Sequence, residues 1–140
     1  MAKTVQAWLK AIGTGEDRVP DAWVEKRPDF LRHVRFPETP SGIRSGDILL
    51  YYASGHQRLC AIAKASMDGE DCPFELAIGQ DQWPYNLPVQ VIIAIPTISL
   101  SLPYAILGLP PQAVMRMTHR RLADTEYQKA LDALLARIAL

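Results

Sequence analysis

The chain has 140 residues, 49% of them hydrophobic and 21% charged. This is typical of one folded domain that buries roughly two-thirds of its unfolded surface. Fifteen basic and fifteen acidic residues give a formal net charge of zero, which excludes binding driven by bulk positive charge. The neutrality is a sum of unlike blocks, since residues 1–64 carry +3, residues 65–115 carry −5 and residues 116–140 carry +2. Local basic surfaces therefore remain available, and no repeat or change of composition divides the domain predicted over residues 1–140.

Residues 5–12 alternate in hydrophobicity, which predicts a first strand with its odd-numbered residues on one face and Trp8 and Lys10 on the other. A proline then favours a short helix over residues 28–34. Two further prolines predict a loop at residues 37–40, because the residue before a proline avoids helical backbone.

A tight turn at residues 42–47 leads into the apolar run 48–53, which indicates a buried strand. A second turn returns the chain into residues 57–66, so these two strands should pair as a hairpin. Further strands are predicted over residues 74–78 and 88–95.

The end of the chain predicts a last strand over residues 114–122 and then a helix capped by Asp124. Apolar residues at helical spacing form one stripe along this helix: Tyr127, Leu131, Leu134, Leu135 and Ile138. Five or six mostly antiparallel strands with helices at the edges indicate an α+β domain around a curled mixed sheet or small barrel.

One segment, residues 82–115, has no charged side chain and is as apolar as many membrane spans. Prolines at 96 and 103 interrupt it, and a lone helix in lipid would leave the backbone groups freed there unpaired. Residues 99–102 also alternate with a period of two. We therefore expect a buried strand, a bend and then a short apolar segment, and no membrane association.

The sequence shows no catalytic constellation. Phosphate-loop, nucleophile-elbow and metalloprotease motifs are absent, the three histidines are scattered, and the acidic residues 68–75 match no calcium loop. Cys60 and Cys72 lack a metal-binding spacing, so we expect free thiols in a reducing cytoplasm. These observations predict a protein without cofactor, metal or enzymatic activity.

Aromatic side chains are the remaining candidates for function. Trp23 lies in a polar, irregular stretch, and Trp83 precedes the best-defined strand. Tyr51 and Tyr52 point to opposite faces of their strand, so one of them can face a pocket. Aromatic side chains at the mouth of a barrel can stack on a planar base. The alternative is that both tryptophans fill the core at the ends of the barrel.

The order and spacing of the motifs resemble those of EVE domains, members of the PUA-like superfamily related to the YTH readers of methylated adenine in RNA. The resembling segments are residues 7–10 of the first strand, the tryptophan segment 21–24, the Gly-Asp turn and strand 43–52, the hairpin partner 59–65, the Trp-Pro-Tyr entry 83–85, and the closing strand and helix 117–127. The resemblance covers nearly the whole chain.

The resemblance implies a PUA-like fold and a non-catalytic module that binds RNA or modified DNA and holds one base in an aromatic cage. It implies Trp23 as one cage wall and Trp83 as a second candidate. The base-binding candidates are Trp23, Trp83, Tyr52, Tyr85, Val24 and Lys10. The phosphate-binding candidates are Lys26, Arg27, Arg32, Arg35, Arg116, Arg120 and Arg121.

The chain departs from the family pattern in two segments, and both lack the usual hydrogen-bonding side chains. Ala-Ile follows Lys10 where Ser-Asn or Ser-Glu is common, and Val24 stands where a polar residue is often found. Two other functions stay open. The uncharged residues 82–115 would serve a protein-interaction module, such as the partner of a toxin or modification enzyme, if they form an exposed apolar patch. An enzyme acting on nucleotides would need a pocket with paired titratable groups. We expect a monomer or a weak dimer.

Overall fold

The computed structural model describes residues 5–14, 17–75, 83–110 and 119–138. Within these residues the strands are β1 (Ala7–Ile12), β2 (His33–Phe36), β3 (Ile48–Ala53), β4 (Arg58–Ala65), β5 (Tyr85–Ala94), β6 (Leu102–Pro103) and β7 (His119–Leu122). The α-helices are α1 (Trp23–Lys26) and α2 (Asp124–Ile138). Short 3-10 turns occupy Pro28–Leu31, Gly69–Asp71, Ile98–Leu100 and Tyr104–Leu107.

The strands form one curled sheet in the order β2-β5-β4-β3-β1-β7, with β6 paired to β4. β1 lies parallel to β3, while the other pairs are antiparallel. The rings of Phe36 on β2 and His119 on β7 meet edge to face, with 5.0 Å between their centroids. Because β2 and β7 are the two ends of the sheet, it curls until its ends approach along what we call the β2–β7 seam.

The sheet has a core on each face, because successive side chains of a strand point to opposite sides. Ile12 and Tyr51 pack inside the curl. Leu9 and Tyr52 pack on the outer face, with Leu134 of α2. The predicted separation of the two neighbouring tyrosines is therefore confirmed, and both faces of β1 are buried.

The predicted α+β curled sheet with a C-terminal helix is confirmed. The hairpin of β3 and β4 and the strand β5 lie where the sequence predicts them. The short helix predicted over residues 28–34 is wrong: Pro28–Leu31 forms a 3-10 turn, and β2 follows it. β2 exists because β5 lies beside it and pairs with all four of its residues, a tertiary contact that local sequence does not reveal.

Two further predicted strands fall partly on undescribed residues. Of residues 74–78, Phe74 forms an isolated bridge with Tyr85, and residues 76–78 lie outside the described part. Of residues 114–122, β7 provides the described end.

The helix α2 begins and packs slightly differently from the prediction. The carboxylate of Glu126 accepts a hydrogen bond from the backbone N–H of Ala123 at 2.7 Å, which caps the first turn in place of Asp124. Leu134 is buried, but Leu135 and Ile138 are exposed. The apolar stripe that packs on the sheet is therefore narrower than the sequence pattern.

The uncharged segment contributes β5, β6 and two of the 3-10 turns, with Ile98, Leu102 and Leu107 buried. In the described part of the chain, no helix is both long and apolar enough to cross a membrane. Cys60 and Cys72 are buried free thiols.

The carboxylate of Asp47 joins β1 to the turn before β3. Asp47 is 3% exposed and accepts hydrogen bonds from the backbone N–H groups of Gln6 and Arg44 at 3.1 and 2.9 Å. It also accepts one from the indole N–H of Trp8 at 3.0 Å and one from the side-chain amide of Gln6 at 2.9 Å. Since Gln6 and Trp8 flank the start of β1, these bonds fix the register of the parallel β1–β3 pair.

We expect Asp47→Ala to lower the free energy of unfolding by about 3 kcal/mol, because it leaves several partly buried N–H donors without an acceptor. Urea denaturation measures this change. The control is Asp132→Ala on the exposed side of α2, where we expect a change within about 0.5 kcal/mol. Equal stabilities of the two variants would contradict the role of Asp47.

Candidate functional site

A pocket opens at the end of β1, close to the β2–β7 seam. Its space measures about 560 Å³, including the part open to solvent. Its walls combine aromatic, basic and backbone groups from Lys10, Ala11, Ile12, Gly13, Thr14, Asp17, Arg27, Phe30, Val34, Arg35 and Trp83.

Lys10 forms the floor of this pocket. Its side chain is 2% exposed, and Nζ donates a hydrogen bond to the carbonyl of Ala11 at 2.8 Å. The ammonium lies 4.5 Å from the ring centre of Phe36 and 5.3 Å from that of Trp83. Within the described residues no carboxylate pairs with it. Burial therefore lowers the pKa of Lys10 from 10.5 to about 7.

Phe30 and Trp83 form the aromatic walls. The hydroxyl of Tyr51, inside the curl, donates a hydrogen bond to the carbonyl of Phe30 at 2.6 Å and so holds the 3-10 turn in place. Burial raises the pKa of Tyr51, so this hydroxyl keeps its proton. The guanidinium of Arg27 lies 4.4 Å from the Phe30 ring centre, and the carbonyl of Trp83 accepts a hydrogen bond from Arg35 at 3.3 Å.

The arginines at the rim are partly neutralised. Arg27 donates two hydrogen bonds to the carboxylate of Asp29, at 3.0 and 2.9 Å, and this contact raises the pKa of Arg27. Arg35 donates to the carbonyl of Glu75 at 3.0 Å, and its guanidinium lies 3.7 Å from the Glu75 carboxylate. The rim therefore holds fixed cations whose charge is shared with neighbouring acids.

His119 lies at the seam behind the floor. Its ring centre is 5.6 Å from that of Trp8 and 5.0 Å from that of Phe36. Burial, and secondly the charge of Lys10, lower the pKa of His119 to about 4. The imidazole is therefore neutral at pH 7 and adds no charge beside Lys10.

The proposed role of Trp23 as a cage wall is corrected by the structure. Trp23 is 0% exposed, its indole N–H donates to the carbonyl of Ile95 at 2.8 Å, and its ring packs against Tyr51. It has no free face for a base, so the core alternative holds for Trp23. Trp83, by contrast, lines the pocket.

Three other base-binding candidates also lie away from the pocket. Tyr52 is buried in the outer core against Tyr104. Tyr85 packs edge to face with Phe74, and Val24 packs on the inner core. Of the six candidates, the structure brings together Lys10 and Trp83.

The phosphate-binding candidates separate in space. Arg27 and Arg35 line the pocket, whereas Lys26 and Arg32 are exposed outside its lining. Arg120 and Arg121 lie on β7, where the Arg121 guanidinium is 5.8 Å from the Trp8 ring centre. Arg116 lies outside the described residues.

Sequence reasoning missed Phe30 as a wall and Tyr51 as its support. Phe30 falls within the short helix predicted over residues 28–34, but the 3-10 turn observed there leaves it half-buried. Its position three residues after Arg27, a spacing that brings side chains together in a helical turn, was the available signal. The bond from Tyr51 joins residues 21 positions apart, and no sequence pattern indicates it.

Comparison with solved structures identifies other proteins that share this fold. A protein from Agrobacterium tumefaciens, Atu2648, matches with a TM-score of 0.57 and 10% identity over 92% of each chain. A hypothetical protein from Leishmania major matches with a TM-score of 0.53 and 11% identity over 96% of this chain and 98% of its own. Likenesses at these identities show the fold alone.

Human THYN1, solved in complex with DNA containing 5-methylcytosine, matches with a TM-score of 0.49 and 12% identity over 94% of this chain and 97% of its own. No protein-family model matches the sequence, and no curated protein matches it.

We expect the burial of Lys10 to cost stability in a pH-dependent way. The folded pKa is about 7 and the ordinary value 10.5, so between these values the unfolded chain binds a proton that the folded chain lacks. The free energy of unfolding should then rise with pH, by up to about 1.4 kcal/mol per unit. Lys10→Met has no amine to titrate at this position. The excess of its free energy of unfolding over that of the parent should therefore be largest at pH 6 and shrink towards pH 9.

Urea denaturation at pH 6, 7, 8 and 9 measures this difference. The matched control is Lys129→Met, at an exposed position of α2, for which we expect a small difference that is constant over pH. A constant difference for Lys10→Met as well would contradict the lowered pKa of the buried amine.

Proposed function

We propose that this chain is a non-catalytic nucleic-acid-binding module that holds one unpaired base of RNA or DNA in the pocket between Trp83 and Phe30. The observation that carries the proposal is the pairing of two aromatic walls with a buried ammonium on the floor, all within one pocket. The resemblance to EVE domains and the PUA-like fold agree with it.

The two walls suit a planar ring. Stacking on an aromatic side chain tolerates any base, because every base has a π face, and is worth about 1–3 kcal/mol. The guanidinium of Arg27 extends the Phe30 wall as a second flat surface. A single-stranded or splayed-out base can reach such a pocket, whereas a base within a duplex stack cannot.

The rim arginines suit the phosphates that flank the base. Arg27 and Arg35 lie at the pocket edge, but each already contacts a carboxylate. Their contribution to affinity is therefore modest, and binding should be weak and local rather than a wrapping of a duplex. The zero net charge of the chain agrees with that mode.

The protein-interaction alternative has less support. The uncharged segment exposes two large apolar side chains within its described part, Ile92 and Leu100, and scattered exposed apolar residues are normal in soluble proteins. For the enzyme alternative, Lys10 is the described pocket residue whose pKa lies near neutrality. His119, the neighbouring titratable group, is not part of the lining. We therefore propose binding without catalysis.

Trp83→Ala should weaken binding of a single-stranded oligonucleotide about tenfold or more, because it removes one stacking surface. Fluorescence anisotropy with labelled single-stranded RNA and DNA measures the loss. The control is Phe74→Ala, which removes an exposed aromatic side chain outside the pocket and should leave affinity unchanged. Equal affinities of Trp83→Ala and the parent, or no binding of any oligonucleotide by the parent, would overturn the proposal.

A further inference from the structure

The ammonium of Lys10 has donors to spare at the pocket floor. A lysine ammonium carries three N–H donors, and Lys10 spends one on the carbonyl of Ala11. The rings of Phe36 and Trp83 stabilise its positive charge, but a ring face is not a conventional acceptor. Because no other acceptor among the described residues bonds to the ammonium, two donors remain for a ligand that enters between the walls.

The groups around Lys10 do not neutralise it. On β7, His119 is uncharged at pH 7. On β3, the hydroxyl of the neighbouring Tyr51 donates its hydrogen bond to the carbonyl of Phe30. Arg35 on β2 and Arg27 at the rim are themselves cations, each in contact with an acid. Asp17 lines the pocket, but among the described residues it forms no ion pair with Lys10.

We propose that Lys10 selects bases that present a carbonyl oxygen to the floor, so that the pocket prefers an oxo base to the amino base with the same ring. Hypoxanthine would then bind better than adenine, and uracil better than cytosine. This inference rests on the proposed function. An amino group at the same place would meet the ammonium donor to donor, and a buried polar group left unpaired costs more than a weak contact.

A phosphate oxygen offers the same acceptor chemistry as a carbonyl oxygen. The aromatic walls favour the base, because Phe30 and Trp83 present ring surface rather than hydrogen-bond donors to whatever lies between them. A phosphate at Lys10 would share its pocket with the apolar surfaces of both rings. Competition by inorganic phosphate distinguishes a bound phosphate oxygen from a bound carbonyl oxygen.

The proposed contact also has a pH signature. An oxygen acceptor stabilises the charged form of Lys10, so binding an oxo base above pH 7 takes up a proton. Affinity for the oxo base should fall as pH rises from 7 to 9, by up to about tenfold per unit. Affinity for the amino base should not fall over the same range, because the neutral amine that forms no longer meets the amino group donor to donor.

The test compares two single-stranded RNAs, an all-adenosine oligonucleotide and the same oligonucleotide with one central inosine, by anisotropy at pH 7 and 9. We expect the inosine oligonucleotide to bind about tenfold more tightly at pH 7 and the preference to shrink at pH 9. Lys10→Met should lose the preference but retain the weaker binding, whereas Lys129→Met should retain both. Thermal melting confirms that Lys10→Met is folded.

The outcomes separate the inference from the function on which it rests. No binding of either oligonucleotide by the parent overturns both. Equal binding of the two, a preference for the all-adenosine oligonucleotide, or a preference that survives in Lys10→Met overturns the inference alone. Competition by millimolar inorganic phosphate that removes the inosine preference identifies a phosphate site at the floor and also overturns it.

Discussion

The hydrogen bonds of the Asp47 carboxylate hold β1 in register with β3, and the positions of Lys10 and Tyr51 follow from that register. Parallel neighbours cannot be joined by a tight turn, so the β1–β3 pair needs some other lock on its register, and Asp47 supplies it through Gln6, Trp8 and Arg44. That register places Lys10 beside Tyr51. From these positions Tyr51 reaches the carbonyl of Phe30, and Lys10 reaches the rings that close the pocket.

The strict alternation of side chains along β1 then decides what the pocket floor is made of. One set of residues packs beneath α2, and the other faces the inside of the curl. Lys10 occupies a position of the inner set, where a hydrophobic residue would ordinarily complete the core. Because the sheet closes at Phe36 and His119, the amine is enclosed by strands from both ends of the sheet. A slip of one residue would exchange it for a neighbour from the outer face.

The parts of the fold that follow from short-range patterns could be predicted from the sequence: the β3–β4 hairpin, the strand β5 and the C-terminal helix. β2 could not, because its four residues are a strand only by virtue of β5. The site divides in the same way. The sequence allows both Trp23 and Trp83 either to stack on a base or to fill the core. Only long-range packing separates them, since Trp23 bonds to Ile95 across the domain. Phe30 was missed because its partner Tyr51 is equally remote.

Lys10 is the place where local sequence and global fold conflict most directly. The ion pair of Arg27 with Asp29 shows how this chain treats a cation elsewhere in the pocket: it is half-exposed and paired with a carboxylate. Lys10 is buried from solvent and forms no ion pair with a carboxylate in the described part of the chain. Its positive charge therefore opposes folding. A residue that opposes folding in an otherwise consistent core is a candidate functional position, and this is why we place Lys10 in the proposed site. A buried cation in a pocket lined by aromatic rings agrees with the proposed binding of one base. Binding of one base, unlike binding of a whole duplex, needs no large positive charge, so the proposal is compatible with a chain of zero net charge.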